Sequence, residues 1–507
     1  MNNTGNSSNL NLTHQENATK PTFYSLTGLV CFLLLLLIIR LISLFYNNSE
    51  LFFDEAQYWV WSQDLDFGYF SKPPMLAWII RASTEICGSD SAFCIRISAP
   101  IIHTITSIFV FLSARELFDT KTGFWAGIIF ALLPAVSLSA TIISTDVPLL
   151  MFWSIALYAF LMLERTNSKI WILVLGLSFG FGLMSKYAMV YFVICSFLYA
   201  LLARDLPTAL KKPGFWIAMA LGFLILVPNI WWNYQHSFAT LSHTGDNIGW
   251  KGLNLHPLKA AEFLLSQFGV FGPILMGVYL ASLWRIELFK GTNAQQFLVA
   301  FSLPILFIII FQALMSKAYA NWAALTYVAA SILVADILVN RIPPLWAKLS
   351  HTIHAVIFLA IAIAVTQAGP GQLVLPGGAE PFRRTQGSLE MANLVRAKLA
   401  QSDYQAVITT DRKLSALMIY QLRDENVKVL AWRHSSHAND HFELIYSYQQ
   451  NPKEPALLVY SNSQIDNIKQ QFSSFEPLGQ SQVHSGITKT LHFARVMGFQ
   501  TKQSSGK

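Results

Sequence analysis

Runs of apolar residues long enough to cross a bilayer recur along most of this chain, and they limit the fold more than any other feature. A spanning helix takes about 17–25 predominantly apolar residues. Such segments lie near 24–46, 93–113, 123–141, 145–163, 170–186, 187–203, 214–232, 260–284, 295–315, 322–340 and 351–368. The pattern predicts an α-helical polytopic membrane protein of about eleven transmembrane helices. Composition agrees: 53% of residues are hydrophobic and only 12% charged, against roughly 25% charged in soluble domains, which excludes a large soluble enzyme. The net charge of +7 is spread without a basic run. That argues against a nucleic-acid partner and for topology and contact with anionic lipid.

Basic residues set the expected orientation. Arg115 and Lys121, Arg165 and Lys169, Arg204, Lys211 and Lys212, Arg285 and Lys290, and Arg341 and Lys348 fall in short loops on one side, which the positive-inside rule makes cytoplasmic. An odd number of spans then puts the C-terminus outside. The polar start, 1–22, reads as a disordered cytoplasmic tail, and its Asn11-Leu12-Thr13 sequon as a product of that composition. No cleavage site accompanies the first apolar run, so a removed signal peptide is not expected. Residues 23–370 form the expected membrane domain. Past a Gly/Pro-rich exit, helices near 387–402, 411–423 and 463–472 interleave with strands near 404–409, 427–432, 442–447, 456–461 and 487–496. Residues 371–507 therefore read as a small external α/β domain with a lid or acceptor-facing role. They carry no glycine-rich nucleotide fingerprint.

The polar groups expected at the outer face carry the chemistry. Directly after the first span comes LFFDEAQYWVWSQDLDFGYFSKPP, Leu51–Pro74. Its stretches 55–64 and 73–86 are too short to span and read as interfacial helices. An acidic pair at a membrane surface is costly. Asp54, partly desolvated, can take a proton from an acceptor hydroxyl or amine, with Glu55 in support; the pair could equally bind a divalent cation. Lys72, Lys186 and Lys317 are compact cations on the side the positive-inside rule depletes, suited to a phosphate leaving group. Arg81 and Arg96 share that reading or only snorkel to headgroups. Asp146, in Ser144-Thr145-Asp146-Val147-Pro148, fits a helix N-cap and a functional carboxylate alike. Tyr58 and its aromatic neighbours are either interface belt or a stacking platform for a sugar. His236, His243 and His256 lie in the long outer loop. His434, His437 and His441 with Asp440 match no standard metal spacing. Cys87 and Cys94 flank Gly88-Ser89-Asp90 in the outer loop, where a disulfide can form.

Several segments together resemble the membrane glycosyltransferases of the GT-C superfamily: FDEAQYW at 53–59, SKPP at 71–74, STDVPLL at 144–150, GLMSKY at 182–187, PNIWWN at 228–233 and YANW at 319–322. The likeness is to bacterial members related to protein O-mannosyltransferases, lipid A aminoarabinose transferases and lipopolysaccharide galacturonic-acid transferases. It implies inverting transfer from a polyprenyl-phosphate sugar to a lipid or glycan acceptor, lipid A or lipopolysaccharide first, at the periplasmic face of a bacterial inner membrane. By the same resemblance Asp54 is the catalytic aspartate of the first loop and Asp146 the second acidic position. Lys72 and Lys186 become phosphate-contacting lysines, and Tyr319 and Asn321 substrate contacts. No nucleotide or other cofactor is required; a divalent cation is family-dependent. Two other classes compete. A flippase for lipid-linked sugars would also bury charges and bind polyprenyl phosphate, but transporters often show internal repeats and broken helices near the midplane, whereas this sequence shows no repeat and gathers its polar groups at one surface. A structural or receptor protein would not need the first-loop cluster.

Overall fold

The computed structural model describes residues 24–166, 168–203, 207–250, 252, 254–284, 291–461, 465–486 and 489–500. The tail 1–22, with its sequon, and Arg204, Arg285 and Lys290 of the topology argument lie outside them. By packing, the chain forms two compact units, one of residues up to 41, 99–231 and 245–361, the other of 42–98, 232–244 and 362–507.

The first unit is helical. Along the whole chain, six helices among the described residues are long and apolar enough to cross a membrane: Leu26–Phe45, Ala92–Leu117, Asp146–Thr166, Pro213–Gln235, Asn293–Met315 and Pro344–Thr366. Four shorter apolar helices are Lys169–Ser185, Tyr187–Leu202, Pro273–Trp284 and Thr326–Asn340. Eleven uninterrupted spans are therefore not what the apolar runs form. The run 123–141 breaks into Thr120–Leu132 and Pro134–Ser139. Proline has no N–H to donate and drives the residue before it out of the helical region; Leu133 sits at ψ 137°. The run 260–284 likewise divides into Pro257–Val270 and Pro273–Trp284, with Gly272 between them at φ +100°.

A break within an apolar run leaves helix-end carbonyls without partners in their own helix. Arg40, the intramembrane cation whose partner the sequence does not reveal, answers this. Its Nη2 donates to the Ala131 carbonyl at 2.5 Å, so a cation caps the negative end of the interrupted helix. The Phe358 ring centroid lies 5.6 Å from its guanidinium, and Phe358 belongs to a buried cluster with Leu29, Leu33, Phe111 and Phe124.

The second unit holds the first-loop helices and the C-terminal sheet. Phe53–Gln63 and Met75–Cys87 are helical, close to the expected 55–64 and 73–86. The first is not a one-sided surface helix, however: residues 55–62 are all buried, against Met75–Cys87 and the helix Arg412–Gln421. Cys87 and Cys94 form a disulfide.

The sheet runs β2-β1-β3-β5-β4, with β1 Ala406–Thr409, β2 Lys428–Ala431, β3 Ala456–Tyr460, β4 Phe472–Val483 and β5 Lys489–Phe499. The first three are parallel, and β5 and β4 antiparallel. Alternate residues face opposite sides. Val407, Leu457 and Phe493 meet Leu414 and Met418, while Ile408, Leu458 and Ala494 meet Trp432 and Tyr448.

Two expectations for this sheet are corrected. The apolar stretch 442–447 is not a strand but the end of a short helix, His441–Ile445, because the Asp440 carboxylate accepts from the N–H groups of Phe442 and Glu443 and starts it. Of the helix expected over 463–472, residues 463 and 464 lie outside the described residues; among the described ones the helix covers Asp466–Lys469, and Phe472 opens β4. That strand, FSSFEPLGQSQV, is polar and holds Pro477. It lies at the sheet edge with β5 alone as neighbour, where a missing ladder donor is tolerated.

Candidate active site

Local sequence explains how Asp54 is presented. The helix Phe53–Gln63 begins on a capping arrangement in which Glu55 Oε2 accepts from the Phe52 N–H at 3.0 Å. Asp54 therefore lies in the first turn, where the helix dipole favours a carboxylate. Glu55 is turned inward onto Arg96, with Nε–Oε1 at 2.9 Å and Nη2–Oε2 at 2.7 Å. Arg96 also donates to Ser49 and to the Glu50 carbonyl. Both side chains of this pair are almost fully buried. Glu55 and Arg96 thus brace the start of the helix, and neither charge faces solvent.

Asp54 is one-third exposed and forms an ion pair with Arg412. The Arg412 Nη2 donates to Oδ1, its Nε donates to Gln57 Oε1 at 2.8 Å, and its guanidinium lies 5.2 Å from the centroid of the Phe53 ring. Oδ2 of Asp54 has no hydrogen-bond donor among the described residues. Burial raises the Asp54 pKa above the usual aspartate value; the charges of Arg412 and Lys72 pull against that rise and do not cancel it, and Glu55 adds to it. The result is a carboxylate more basic than an exposed one, with one oxygen anchored.

Lys72 is placed by a tight turn. Tyr69 bridges to it, its N–H donating to the Lys72 carbonyl at 3.1 Å. The Tyr69 ring stacks on Trp61 at 4.7 Å, and its hydroxyl donates to the Trp61 carbonyl. Thr240 Oγ1 donates to the Tyr69 carbonyl. Tyr58 is buried against Trp61, a wall of this unit. Arg81 pairs with Glu85 on an exposed helix face.

In the first unit, three expected residues meet. Asp146, in the first turn of Asp146–Thr166, has Oδ1 on Lys186 Nζ at 2.6 Å and Oδ2 on Asn321 Nδ2 at 2.7 Å. Lys186 follows the end of Lys169–Ser185 in extended conformation, and Tyr187 beside it donates to Asn229 of the PNIWWN stretch. Lys317 is exposed, its Nζ 5.9 Å from the Tyr319 ring centroid.

The histidines do other work. His434 bonds the Thr410 carbonyl, Asp440 caps a helix, and His441 is buried among Trp61 and Tyr69, its pKa pushed down to about 3 by burial and by the charge of His236. His236 stacks on Trp232, and His243 meets Phe70. Among the described residues no group of three or more His, Cys, Asp or Glu side chains stands where it could hold a metal ion.

Known proteins share this sequence and architecture. Residues 71–232 match the dolichyl-phosphate-mannose-protein mannosyltransferase family. Over 392 residues, 77% of this chain and 82% of the other, the chain is 36% identical to the lipid A galacturonosyltransferase RgtD of Rhizobium johnstonii. The chain belongs to the GT-C glycosyltransferases. The fold of this glycosyltransferase is that of ArnT from Cupriavidus metallidurans, with a TM-score of 0.63 at 14% identity over 94% of this chain and 99% of the other. The same protein bound to undecaprenyl phosphate gives 0.60 over 94% and 100%. Membership of an enzyme family sets aside the flippase and receptor readings.

Arg412, the ion-pair partner of Asp54, is not among the residues the sequence singled out. A signal for it exists. Arg412 and Lys413 open the helix Arg412–Gln421 behind the N-cap Asp411, and cations at a helix N-terminus oppose its dipole. Two of them there call for an anionic partner.

Proposed function

We propose that this glycosyltransferase moves a sugar from a polyprenyl-phosphate donor to a hydroxyl of lipid A or the lipopolysaccharide core, with inversion, and that Asp54 is the general base. One observation carries the assignment of the base. Of the three candidate carboxylates, Asp54 alone keeps an oxygen without a protein donor among the described residues, while Glu55 and Asp146 have both oxygens engaged. A base must have a vacant lone pair and a proton affinity above that of an exposed aspartate; the raised pKa of Asp54 supports the second condition.

In the proposed reaction the acceptor oxygen bonds to the anomeric carbon as its proton passes to Asp54 Oδ2. The bond between that carbon and the phosphate oxygen breaks on the opposite face. The electron pair leaves with the polyprenyl phosphate, which gains one negative charge. Lys72, whose charge acts on Asp54, is assigned to that phosphate. Glu55 and Arg96 hold the helix that presents the base. In the first unit, Lys186 and Asn321 hold Asp146, and exposed Lys317 and Tyr319 are assigned to substrate contact. No nucleotide takes part.

The lipid A acceptor and a galacturonosyl donor rest on the relative's stated activity, and a polyprenyl phosphate on the ligand of the ArnT structure. A protein acceptor is the second reading, favoured by the family matched over 71–232. A periplasmic location for residues 42–98 rests on the positive-inside pattern and on the Cys87–Cys94 disulfide, a bond of oxidising compartments. The test is transfer from labelled undecaprenyl-phosphate galacturonic acid to lipid A or to envelope protein by the purified chain. Wild type labels lipid A and Asp54→Asn does not; full transfer by the variant would remove Asp54 as base, and label on protein alone would favour the second reading.

A further inference from the structure

We propose that Arg412, contributed by the C-terminal sheet domain, is a positioning residue for the transfer reaction. Its guanidinium holds Oδ1 of Asp54 so that Oδ2 is presented in one orientation. The inference rests on the reading of Asp54 as base and extends it to a part of the chain for which neither sequence motif nor relative supplies a role.

The geometry is that of a fork braced on three sides. Nη2 donates to Asp54 Oδ1 and Nε to Gln57 Oε1. Asp54 and Gln57 are three residues apart, so they share one face of the helix Phe53–Gln63. A planar guanidinium spanning both fixes its own rotation and that of the carboxylate together. The Phe53 ring lies under it, with Lys413 Nζ 5.1 Å from the same ring, so the cationic head cannot swing inward. At its other end Arg412 is anchored by the helix Arg412–Gln421, whose N-cap Asp411 accepts from Lys413 N and Leu414 N. Tyr420 of that helix reaches the Asp90 carbonyl at 3.0 Å, and Trp59 Nε1 donates to the Asp90 carboxylate at 2.8 Å. The two helices are therefore tied to one another beyond the ion pair itself.

A carboxylate on a first-turn aspartate, one-third exposed, would otherwise rotate about its side-chain bonds and offer either oxygen in several directions. Anchoring one oxygen removes that freedom before substrate arrives, which is how orientation lowers a barrier. Arg412 acts through Asp54 and leaves the proton-accepting oxygen untouched. The charged groups acting on Asp54 are Arg412, Lys72 and Glu55, so loss of Arg412 removes one of two opposing cations.

The experiment uses the full chain in lipid nanodiscs, with undecaprenyl-phosphate galacturonic acid as donor and lipid A as acceptor, and records kcat, KM and the pH dependence of kcat for Arg412→Ala, Arg412→Lys and Asp54→Asn/Arg412→Ala. For Arg412→Ala we expect kcat to fall about 30-fold with KM within threefold, as orientation is lost. The acid limb of kcat should move to higher pH as a compensating cation disappears. Arg412→Lys keeps the charge but not the fork; its acid limb should stay and its kcat still fall. On the Asp54→Asn background the alanine change should add nothing. An unshifted acid limb in Arg412→Ala, a rise in KM alone, or additive losses in the double variant would overturn the proposal. Arg423→Ala, at the far end of the same helix region, controls for damage to the domain and should leave kcat and the limb unchanged; a change there equal to that of Arg412→Ala would also overturn it. If Asp54→Asn itself retains transfer, the base assignment falls. If it is inactive while Arg412→Ala matches wild type, only the role of Arg412 falls.

Discussion

Two carboxylates open helices in the two units of this protein, and they are treated in opposite ways. Asp146 is closed: a lysine takes one oxygen and an asparagine amide the other. Asp54 is half closed: an arginine takes one oxygen, and the other has no donor among the described residues. Burial raises the proton affinity of Asp54 beyond what its cations offset. On the proposed reading, the fully satisfied Asp146 holds structure together and the partly satisfied Asp54 is the base. The difference teaches which acid to assign to proton transfer when a family motif offers two.

The largest expected effect breaks that comparison outright if it fails. Asp54→Asn should lower kcat by about 10³-fold, within the range general-base catalysis supplies, with little loss of fold; the same loss from Asp146→Asn without destabilisation would reverse the roles. Next, Arg96→Leu leaves the Glu55 carboxylate buried without its cation. It should cost about 3 kcal/mol of stability, read from unfolding in detergent, and Glu55→Gln combined with it should recover part of that. Lys186→Met strands Asp146, but that pair is less deeply buried, so a loss of about 2 kcal/mol is expected; a stability equal to wild type would mean Asp146 is not held as drawn.

A subtler measurement concerns pH. The folded-state pKa of Asp54 lies above its unfolded value, so folding favours the protonated form. Its stabilising contribution is complete below the unfolded pKa and is lost as pH rises through the folded one. At neutral pH the ionised group is a net burden, and Asp54→Asn should melt no lower than wild type there, while the acid limb of wild-type kcat lies on the neutral side of an exposed aspartate. A lower melting temperature for that variant at neutral pH would contradict the contrast. Smallest of all, Arg81→Ala removes an exposed pair and should change stability by no more than about 0.5 kcal/mol, with transfer intact.

Local pattern made much of this legible. Hydrophobic runs located the long helices, and the two first-loop helices and four of the five strands follow their periodicity. What stayed hidden depends on partners far away in sequence. Glu55 and Arg96 are 41 positions apart, and Asp54 and Arg412 are separated by 358; neither spacing carries a periodic signal. Asp146, Lys186 and Asn321 could be suspected singly, but their mutual bonds come only from folding. The edge strand β4 escaped because an edge tolerates the polar and proline residues that argue against a strand, and the helix breaks at Leu133-Pro134 and Phe271-Gly272 lie inside runs that hydropathy alone reads as continuous.

The tie between Asp54 and Arg412 also has a bearing on biosynthesis. The ribosome emits residue 54 early and residue 412 more than three hundred residues later. The sheet against which the Arg412 helix packs is complete only with β5, ending at Phe499, which lies between β3 and β4. On the proposed reading, a chain that stops before β5 carries Asp54 but lacks the finished sheet behind the Arg412 helix. The proposal therefore expects transfer from the full-length chain and none from a chain ending before Lys489.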